Sequence, residues 1–276
     1  MKLTVQGREA YAYTGGKPFD PALPTVLFIH GALNDHGVWT LLARWCAHHG
    51  YGVLAVDLPG HMRSAGPALT RVEDMADWVL ALLDAAGVSQ AALVGHSMGS
   101  LVALEAAGRA PARCHALVMV GTAYPMKVSP ALLEMSRHDP LAAIDLVTQL
   151  SFSTLAPKPG YPGPGVWLRG GGRALSRLVL GHQGDAALFH TDFAACNAYA
   201  GADAAAARLQ APATLILGAR DVMTPAKATA GLAQALKAAV RTVGAGHALM
   251  AEAPDAVLNA LRGALAHAAA AKEPAP

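Results

Sequence analysis

The sequence contains few charged residues and few cysteines. Charged residues occupy 14% of the 276 positions, and their near balance leaves a net charge of only +2. The charges are scattered and form no basic stripe, which argues against nucleic-acid binding. The three cysteines, Cys46, Cys114 and Cys196, are widely spaced and odd in number, which argues against a disulfide framework. We expect them to be isolated small residues of the core or the surface.

Long apolar runs are also absent. Although 53% of the residues are hydrophobic, no uninterrupted apolar stretch reaches about 18 residues, so we expect no membrane-spanning helix. The first nine residues become polar too early for the core of a signal peptide, and we therefore expect a cytoplasmic protein. No cofactor or metal is expected, because several histidines show no ligand spacing with a carboxylate or a cysteine: His48, His49, His138, His182 and His190.

Strand-like and helix-like segments alternate along most of the chain, which predicts an α/β fold with a mostly parallel sheet flanked by helices. The predicted strands are residues 3–5, 10–13, 25–29, 53–56, 91–94, 116–120, 213–218 and 240–243. The predicted helices include residues 38–49, 70–86, 202–207 and 255–270. Thr70 and Glu73 have the spacing of a capping box, and Thr224-Pro225 is typical of a helix start.

The regular alternation stops between residues 122 and 201. The Pro/Gly-rich residues 157–165 and the three glycines at 170–172 predict loops, with short helical patterns near 130–136, 141–150 and 174–180. We interpret residues 122–201 as an inserted, mobile cap, or lid. The core domain would then comprise residues 1–121 and 202–276, with a frayed tail at 272–276.

The segment Gly95-His96-Ser97-Met98-Gly99 has the pattern G-x-S-x-G between a strand-like run and a helical pattern. This context predicts a serine held on a sharp turn, with glycines leaving room for the bend. A serine hydroxyl becomes nucleophilic when a base, usually a histidine oriented by a carboxylate, takes its proton. Asp221 and His247 each follow a predicted strand, so both are expected with Ser97 at the carboxyl edge of the sheet. None of the rival carboxylates follows a strand: Asp139, Asp145, Asp185 and Asp192.

Acyl transfer also needs N–H donors that stabilise the developing oxyanion. The residue after the nucleophile, Met98, is one candidate, and Ala32, in the turn His30-Gly31-Ala32 after an early strand, is the other. Candidate pocket residues are Gly31, Leu33, Trp39, His96, Met126, Phe152, Trp167, Phe189 and Met223. For the tryptophans, phenylalanines and methionines of this set, packing within the core or cap is an equally good interpretation.

Five features together resemble the α/β-hydrolase superfamily: His30-Gly31, Asp57-Leu58-Pro59-Gly60-His61, the G-x-S-x-G segment, Gly218-x-x-Asp221 and Gly246-His247. The resemblance implies that fold with a helical cap, and Ser97, Asp221 and His247 as a catalytic triad. It implies hydrolysis of small-molecule carboxylic esters of small or medium size. Asp57 is expected to support its loop. Met62 stands where family members commonly have glycine, so a positive φ there would cost about 1–2 kcal/mol.

Other functions on the same fold remain open. A C–C hydrolase acting on meta-cleavage products is one, although such relatives tend to carry asparagine where this chain has His96. A cofactor-free haloperoxidase or perhydrolase is also compatible with the motif. Epoxide hydrolases and haloalkane dehalogenases of this fold use an aspartate nucleophile, which Ser97 disfavours. A non-catalytic ligand-binding homologue would usually lack one triad residue, whereas all three are present here.

Overall fold

Eight strands form one sheet in the computed structural model, which describes residues 1–153 and 167–270. Their spatial order is β1-β2-β4-β3-β5-β6-β7-β8. The strands are β1 Lys2–Val5, β2 Arg8–Tyr13, β3 Thr25–Ile29, β4 Gly52–Val56, β5 Ala91–His96, β6 Cys114–Val120, β7 Ala213–Gly218 and β8 Ala239–Val243. β1 and β2 pair in antiparallel fashion, β2 pairs likewise with β4, and the other pairs are parallel. The predicted mostly parallel sheet is therefore confirmed.

Helices cover both faces of the sheet. They are α1 Thr40–His48, α2 Val72–Ala85, α3 Met98–Arg109, α4 Pro130–His138, α5 Pro140–Ser151, α6 Leu168–His182, α7 Leu188–Ala198, α8 Ala202–Arg208, α9 Ala230–Ala235, α10 Leu249–Glu252 and α11 Pro254–Ala270. Alternate residues of β3 face opposite sides, so Leu27 packs toward α2 and α3 while Phe28 packs toward α1 and α11. None of the helices in the described ranges is long and apolar enough to cross a bilayer.

The helix predicted from Thr70 begins two residues later, and the capping-box prediction is wrong. Arg71 is the last residue with extended backbone, at φ −136° and ψ 141°, and makes no side-chain cap. Glu73 is therefore the second helical residue rather than the third, so it cannot complete a capping box with Thr70. It pairs instead with Arg71 at 3.4 Å.

Four helices, α4 to α7, lie between β6 and α8, where the regular alternation of the sequence stops. The loop predicted at residues 170–172 is wrong, because all three glycines lie inside α6. A Cβ on Gly170 would lie 2.2 Å from the Trp167 ring, and one on Gly172 would lie 3.0 Å from the Phe152 ring. These glycines thus let aromatic rings approach the helix. Helix α7 was not predicted, and the predicted loop at 157–165 and tail at 272–276 lie outside the described residues.

All three cysteines are free and buried in the structure. Burial raises the pKa of the Cys46 and Cys114 thiols to about 12 and also raises the pKa of Cys196. Their distribution agrees with the expectation of isolated small residues. They are far less reactive than exposed thiols, because the thiolate is the reactive form.

Candidate active site

Ser97 forms the turn between β5, which ends at His96, and α3, which begins at Met98. Its backbone has φ 51° and ψ −119°, a conformation that costs a residue with a side chain about 1–3 kcal/mol. Hydrogen bonds hold the bend, since Ser97 N donates to Val120 O at 3.0 Å and Ser97 O accepts from Ser100 N at 2.9 Å. The strained turn directs the serine into a cavity that it lines.

The two glycines of the motif are required by close backbone contacts. A Cβ on Gly95 would lie 2.0 Å from Gly99 O, and a Cβ on Gly99 would lie 2.4 Å from both Ile29 O and His30 O. Real Cβ atoms do not approach backbone atoms so closely. The start of α3 can therefore pack against β5 only without a side chain at Gly95, and against β3 only without one at Gly99.

Asp221 and His247 are in direct contact. Asp221 follows β7, His247 follows β8, and His247 Nδ1 lies 2.9 Å from Asp221 Oδ2. The other carboxylate oxygen, Oδ1, accepts hydrogen bonds from the backbone N–H groups of Met223 and Thr224, each at 2.8 Å. Burial by itself raises the pKa of Asp221, but His247 and the hydrogen bonds outweigh it and lower this pKa overall. Asp221 is thus held as a carboxylate facing the imidazole.

Thr224 belongs to this cluster, which corrects its predicted role as a helix cap. Its hydroxyl donates to Asp221 Oδ2 at 2.7 Å and lies 3.1 Å from His247 Nδ1. The next helical turn has Pro225 as its cap residue and no side-chain cap. A threonine two or three residues after a strand-end aspartate is the signal that could have identified it, because it can bond the carboxylate locally.

His96 also contacts His247. Its Nε2 donates to the His247 carbonyl oxygen at 3.0 Å, whereas its Nδ1 is buried with no partner. Burial, followed by the nearby His247, lowers the pKa of His96 to about 3, so the ring is neutral. His96 therefore supports the backbone of the His247 loop.

The turn Gly31-Ala32-Leu33, which we call the oxyanion turn, follows β3 and lies against Ser97. A Cβ on Gly31 would be 3.1 Å from Ser97 Cβ. Leu33 has a positive φ of 51°, and its side chain is buried. Met98 is the first residue of α3, so its N–H has no acceptor within the helix, while its side chain lies in the core. The two N–H groups predicted as donors thus belong to segments that meet at Ser97.

A cavity of about 320 Å³ contains Ser97 and His247. It is also lined by Ala32 and by six of the nine predicted pocket residues: Gly31, Leu33, His96, Phe152, Phe189 and Met223. Trp39, Met126 and Trp167 do not line it, which corrects those three predictions. Trp39 is fully buried against Phe28, and Met126 packs in the core cluster that contains residues of α2 and α3. Trp167 is 64% exposed, with its ring against Gly170.

Asp57 holds the loop that follows β4. Its Oδ1 accepts from His36 N at 2.9 Å and from His36 Nδ1 at 2.7 Å, and its Oδ2 accepts from Arg63 N at 3.2 Å. Met62 has φ 38° in this loop, the left-handed conformation that glycine usually provides. We predicted strain at Met62 if its φ were positive, and its φ is positive.

Metal-ligating atoms approach one another at one place in residues 1–153 and 167–270: those of Asp35, His36 and Asp57 lie within 4.8 Å. These atoms already have partners, because Asp57 bonds His36 and Asp35 accepts from Gly37 N at 2.8 Å. The cluster is explained by its support of the loop.

Comparisons with known proteins agree with this fold. Residues 24–140 match the family model described as alpha/beta hydrolase fold. The chain is 32% identical over 230 residues to pimeloyl-[acyl-carrier protein] methyl ester esterase from Chromobacterium violaceum, covering 79% of this chain and 84% of that one. The chain belongs to the alpha/beta hydrolase family.

Other relatives of this alpha/beta hydrolase have different activities. It is 40% identical over 115 residues to the dihydrolipoyllysine-residue acetyltransferase component of the acetoin cleaving system from Cupriavidus necator, but spans only 29% of that protein. The structure of the enol-lactonase from Burkholderia xenovorans LB400 matches with a TM-score of 0.81 at 22% identity, covering 96% of this chain and 100% of that one. At this identity the likeness establishes the fold alone, so the activity has to be argued from the site.

Proposed function

We propose that this alpha/beta hydrolase is a serine hydrolase that cleaves carboxylic esters of small or medium size through an acyl-enzyme on Ser97. One observation carries the proposal: His247 bonds Asp221 at 2.9 Å and lines the same cavity as the strained Ser97. A histidine oriented by a buried carboxylate and placed beside a serine is the arrangement that activates a serine nucleophile.

In the proposed reaction, Ser97 Oγ attacks the ester carbonyl while His247 Nε2 takes the hydroxyl proton. His247 then gives that proton to the departing alcohol, and the same nitrogen activates a water molecule that hydrolyses the acyl-enzyme. Asp221 accepts from Nδ1 and so keeps Nε2 as the basic nitrogen. The N–H groups of Ala32 and Met98 would bind the oxyanion, and loss of one such donor typically costs about 3–4 kcal/mol.

The character of the cavity supports neutral ester substrates. Its described lining contains apolar side chains such as Val147, Leu175 and Phe193, and none of the described lining residues is Lys, Arg, Asp or Glu. A meta-cleavage C–C hydrolase has to bind the carboxylate of a dienoate, for which the described part of this lining offers no cationic side chain. The lining therefore favours ester cleavage over that alternative.

We infer that residues 122–201 act as a cap on a core formed by residues 1–121 and 202–276. Three helices of the inserted segment contribute to the cavity: Ile144 from α5, Leu175 from α6 and Phe189 from α7. The inserted helices would thus shape the part of the pocket that holds the substrate.

Covalent labelling tests the nucleophile. A fluorophosphonate, or PMSF, should modify the wild-type protein once, at Ser97, and should not modify a folded Ser97→Ala variant. Absence of labelling on the folded wild-type protein would exclude the serine mechanism and favour a non-catalytic binding protein.

Turnover tests the substrate class. We expect hydrolysis of p-nitrophenyl acetate and butyrate to exceed turnover of a ring-fission dienoate. Activity on the dienoate alone would replace ester cleavage by C–C cleavage as the function of the labelled serine.

A further inference from the structure

Asp192 is a fully buried carboxylate on α7, in the inserted segment. Its Oδ2 accepts two hydrogen bonds, from Leu33 N at 2.8 Å and from His61 Nε2 at 2.9 Å. Leu33 belongs to the oxyanion turn and His61 to the loop after β4. One oxygen from the inserted segment therefore joins two loops of the core.

Both ring nitrogens of His61 face oxygen acceptors in this arrangement, which favours the charged form of the ring. Its Nδ1 lies 3.2 Å from the Pro59 carbonyl oxygen and its Nε2 faces Asp192, so both ring nitrogens act as donors. Burial by itself lowers the pKa of His61, but Asp192 outweighs it and raises this pKa. A buried ion pair of this kind contributes little net stability compared with apolar residues of similar volume. The His61–Asp192 pair therefore acts mainly by holding the two loops in position.

The peptide groups on both sides of Ala32 are fixed by these contacts. Gly31 O and Ala32 N–H belong to one planar trans peptide, and His30 Nδ1 donates to Gly31 O at 2.8 Å. His30 is held in turn, because its Nε2 accepts from Leu58 N at 3.0 Å. The next peptide is held by Asp192, through Leu33 N–H. The same peptide also accepts a hydrogen bond at Ala32 O from Asn34 Nδ2 at 2.9 Å. The direction of the Ala32 N–H thus depends on His30 from one side, and on Asp192 together with Asn34 from the other.

We propose that Asp192 is a positioning residue that orients the Ala32 N–H for oxyanion binding. It acts directly through Leu33 N–H, and indirectly through His61, whose ring lies 4.7 Å from the ring of His30. The proposal rests on the proposed function, since it assigns to Ala32 the role of oxyanion donor. The inserted segment then contributes to the chemical step as well as to the pocket. The positive φ of Leu33 is consistent with this role, because a strained turn persists only where its surroundings hold it.

The test compares Asp192→Ala with a matched control, Asp145→Ala. Asp145 lies on α5 of the same segment, is about half exposed and pairs with Arg173 and Arg177. Kinetics with p-nitrophenyl butyrate should show kcat lowered about 10- to 100-fold in Asp192→Ala, with KM changed less than about threefold, and no change in Asp145→Ala. Asp192→Asn keeps an oxygen acceptor for both donors and should retain kcat within about threefold.

A second readout reports on the oxyanion donors themselves. The sulfur of a thionoester accepts hydrogen bonds poorly, so the rate ratio of an ester to its thionoester measures the contribution of these donors. We expect this ratio to fall with kcat in Asp192→Ala and to recover in Asp192→Asn. An unchanged kcat in folded Asp192→Ala, or a lower kcat with an unchanged ratio, would overturn the proposal.

Two further measures keep the test decisive. If Asp192→Ala does not fold, Asp192→Thr takes its place. Threonine fills most of the volume but does not reach both donors, so kcat and the ester-to-thionoester ratio should fall in the same way. The rate of Ser97 phosphonylation by a fluorophosphonate should fall in parallel, because the reagent's oxygen uses the same donors. This rate does not depend on the ester chosen, so a wrong substrate class and a wrong role for Asp192 give different results.

Discussion

At the level of single residues, hydrogen bonds to Asp221 fix the orientation of the His247 ring. Asp221 is 5% exposed and uses both carboxylate oxygens, Oδ2 for His247 and Thr224 and Oδ1 for two backbone N–H groups. Such a saturated carboxylate stays ionised and keeps a fixed direction. Changes that preserve its shape but alter its hydrogen bonding should therefore affect turnover more than folding.

Asp221→Asn should lower kcat by about 10⁴ while leaving the fold nearly intact. The asparagine oxygen can still accept from Met223 N and Thr224 N, but its amide N–H₂ would face His247 Nδ1 and favour the unproductive tautomer. Steady-state kinetics together with circular dichroism would measure both effects. Near-normal kcat would mean that another carboxylate orients His247.

Thr224→Val should lower kcat about 10- to 100-fold, because one hydrogen bond to a charged group contributes about 1.5–3 kcal/mol and each 1.4 kcal/mol is about tenfold in rate. The valine keeps the shape but removes the hydroxyl bonded to Asp221 at 2.7 Å. Thr224→Ser is the matched control and should stay close to the wild-type kcat. Equal losses in both variants would show that the methyl packing matters and the hydroxyl does not.

Among the elements, β5 and α3 meet at a junction that has no room for an added Cβ atom at Gly95 or Gly99. Gly99→Ala should abolish folding or lower the free energy of unfolding by several kcal/mol, since its Cβ would lie 2.4 Å from two carbonyl oxygens of β3 and the following residue. Gly181→Ala, in α6 with no atom within 4 Å of the added Cβ, should instead raise stability by about 0.5–1 kcal/mol. Urea unfolding of the two variants gives the comparison. A well-folded Gly99→Ala protein would contradict the packing described here.

Runs of apolar residues in the sequence correctly predicted the buried strands. β3 and β7 have the predicted bounds, because continuous apolar runs between turn residues specify buried parallel strands. Helix α7 was missed, and its Asp192 was considered only as a rival to Asp221. The partners of Asp192, Leu33 and His61, lie 159 and 131 residues away, and no local periodicity encodes such contacts.

The same limit explains the pocket residues. Trp39 and Met126 were reasonable candidates by residue type, yet they pack in the core, because side-chain direction depends on the assembled layers. The glycines inside α6 show the reverse case. Their composition and poor helix propensity predict a loop, but at Gly170 and Gly172 the missing Cβ leaves room for the Trp167 and Phe152 rings, which composition does not show.

For the molecule as a whole, buried neutral histidines make stability depend on pH. Burial, followed by the charge of His61, lowers the pKa of His30 to about 4, and burial with His247 lowers that of His96 to about 3. The unfolded chain takes up these protons near pH 6.5. The stabilising contribution is therefore complete above pH 6.5 and is lost as the pH falls toward the folded pKa values.

We expect the free energy of unfolding to fall between pH 6.5 and pH 4.5, by up to about 1.4 kcal/mol per pH unit for each of the two histidines. His61 does not oppose this trend, because its raised pKa adds stability that is already complete below pH 6.5. Urea unfolding at several pH values would measure the slope. His30→Gln and His96→Gln should each reduce it by about one proton, and unchanged slopes in both would refute this origin.

The burial of Cys46, Cys114 and Cys196 has a practical consequence for spectroscopy. Because the native thiols of the folded protein are shielded, they react slowly with a labelling reagent and need not be removed by mutation. One cysteine introduced at an exposed position, such as Leu178 on α6, would then be the preferred target for a thiol-reactive dye. Fluorescence could follow the inserted helices in solution while every native side chain of the core is kept.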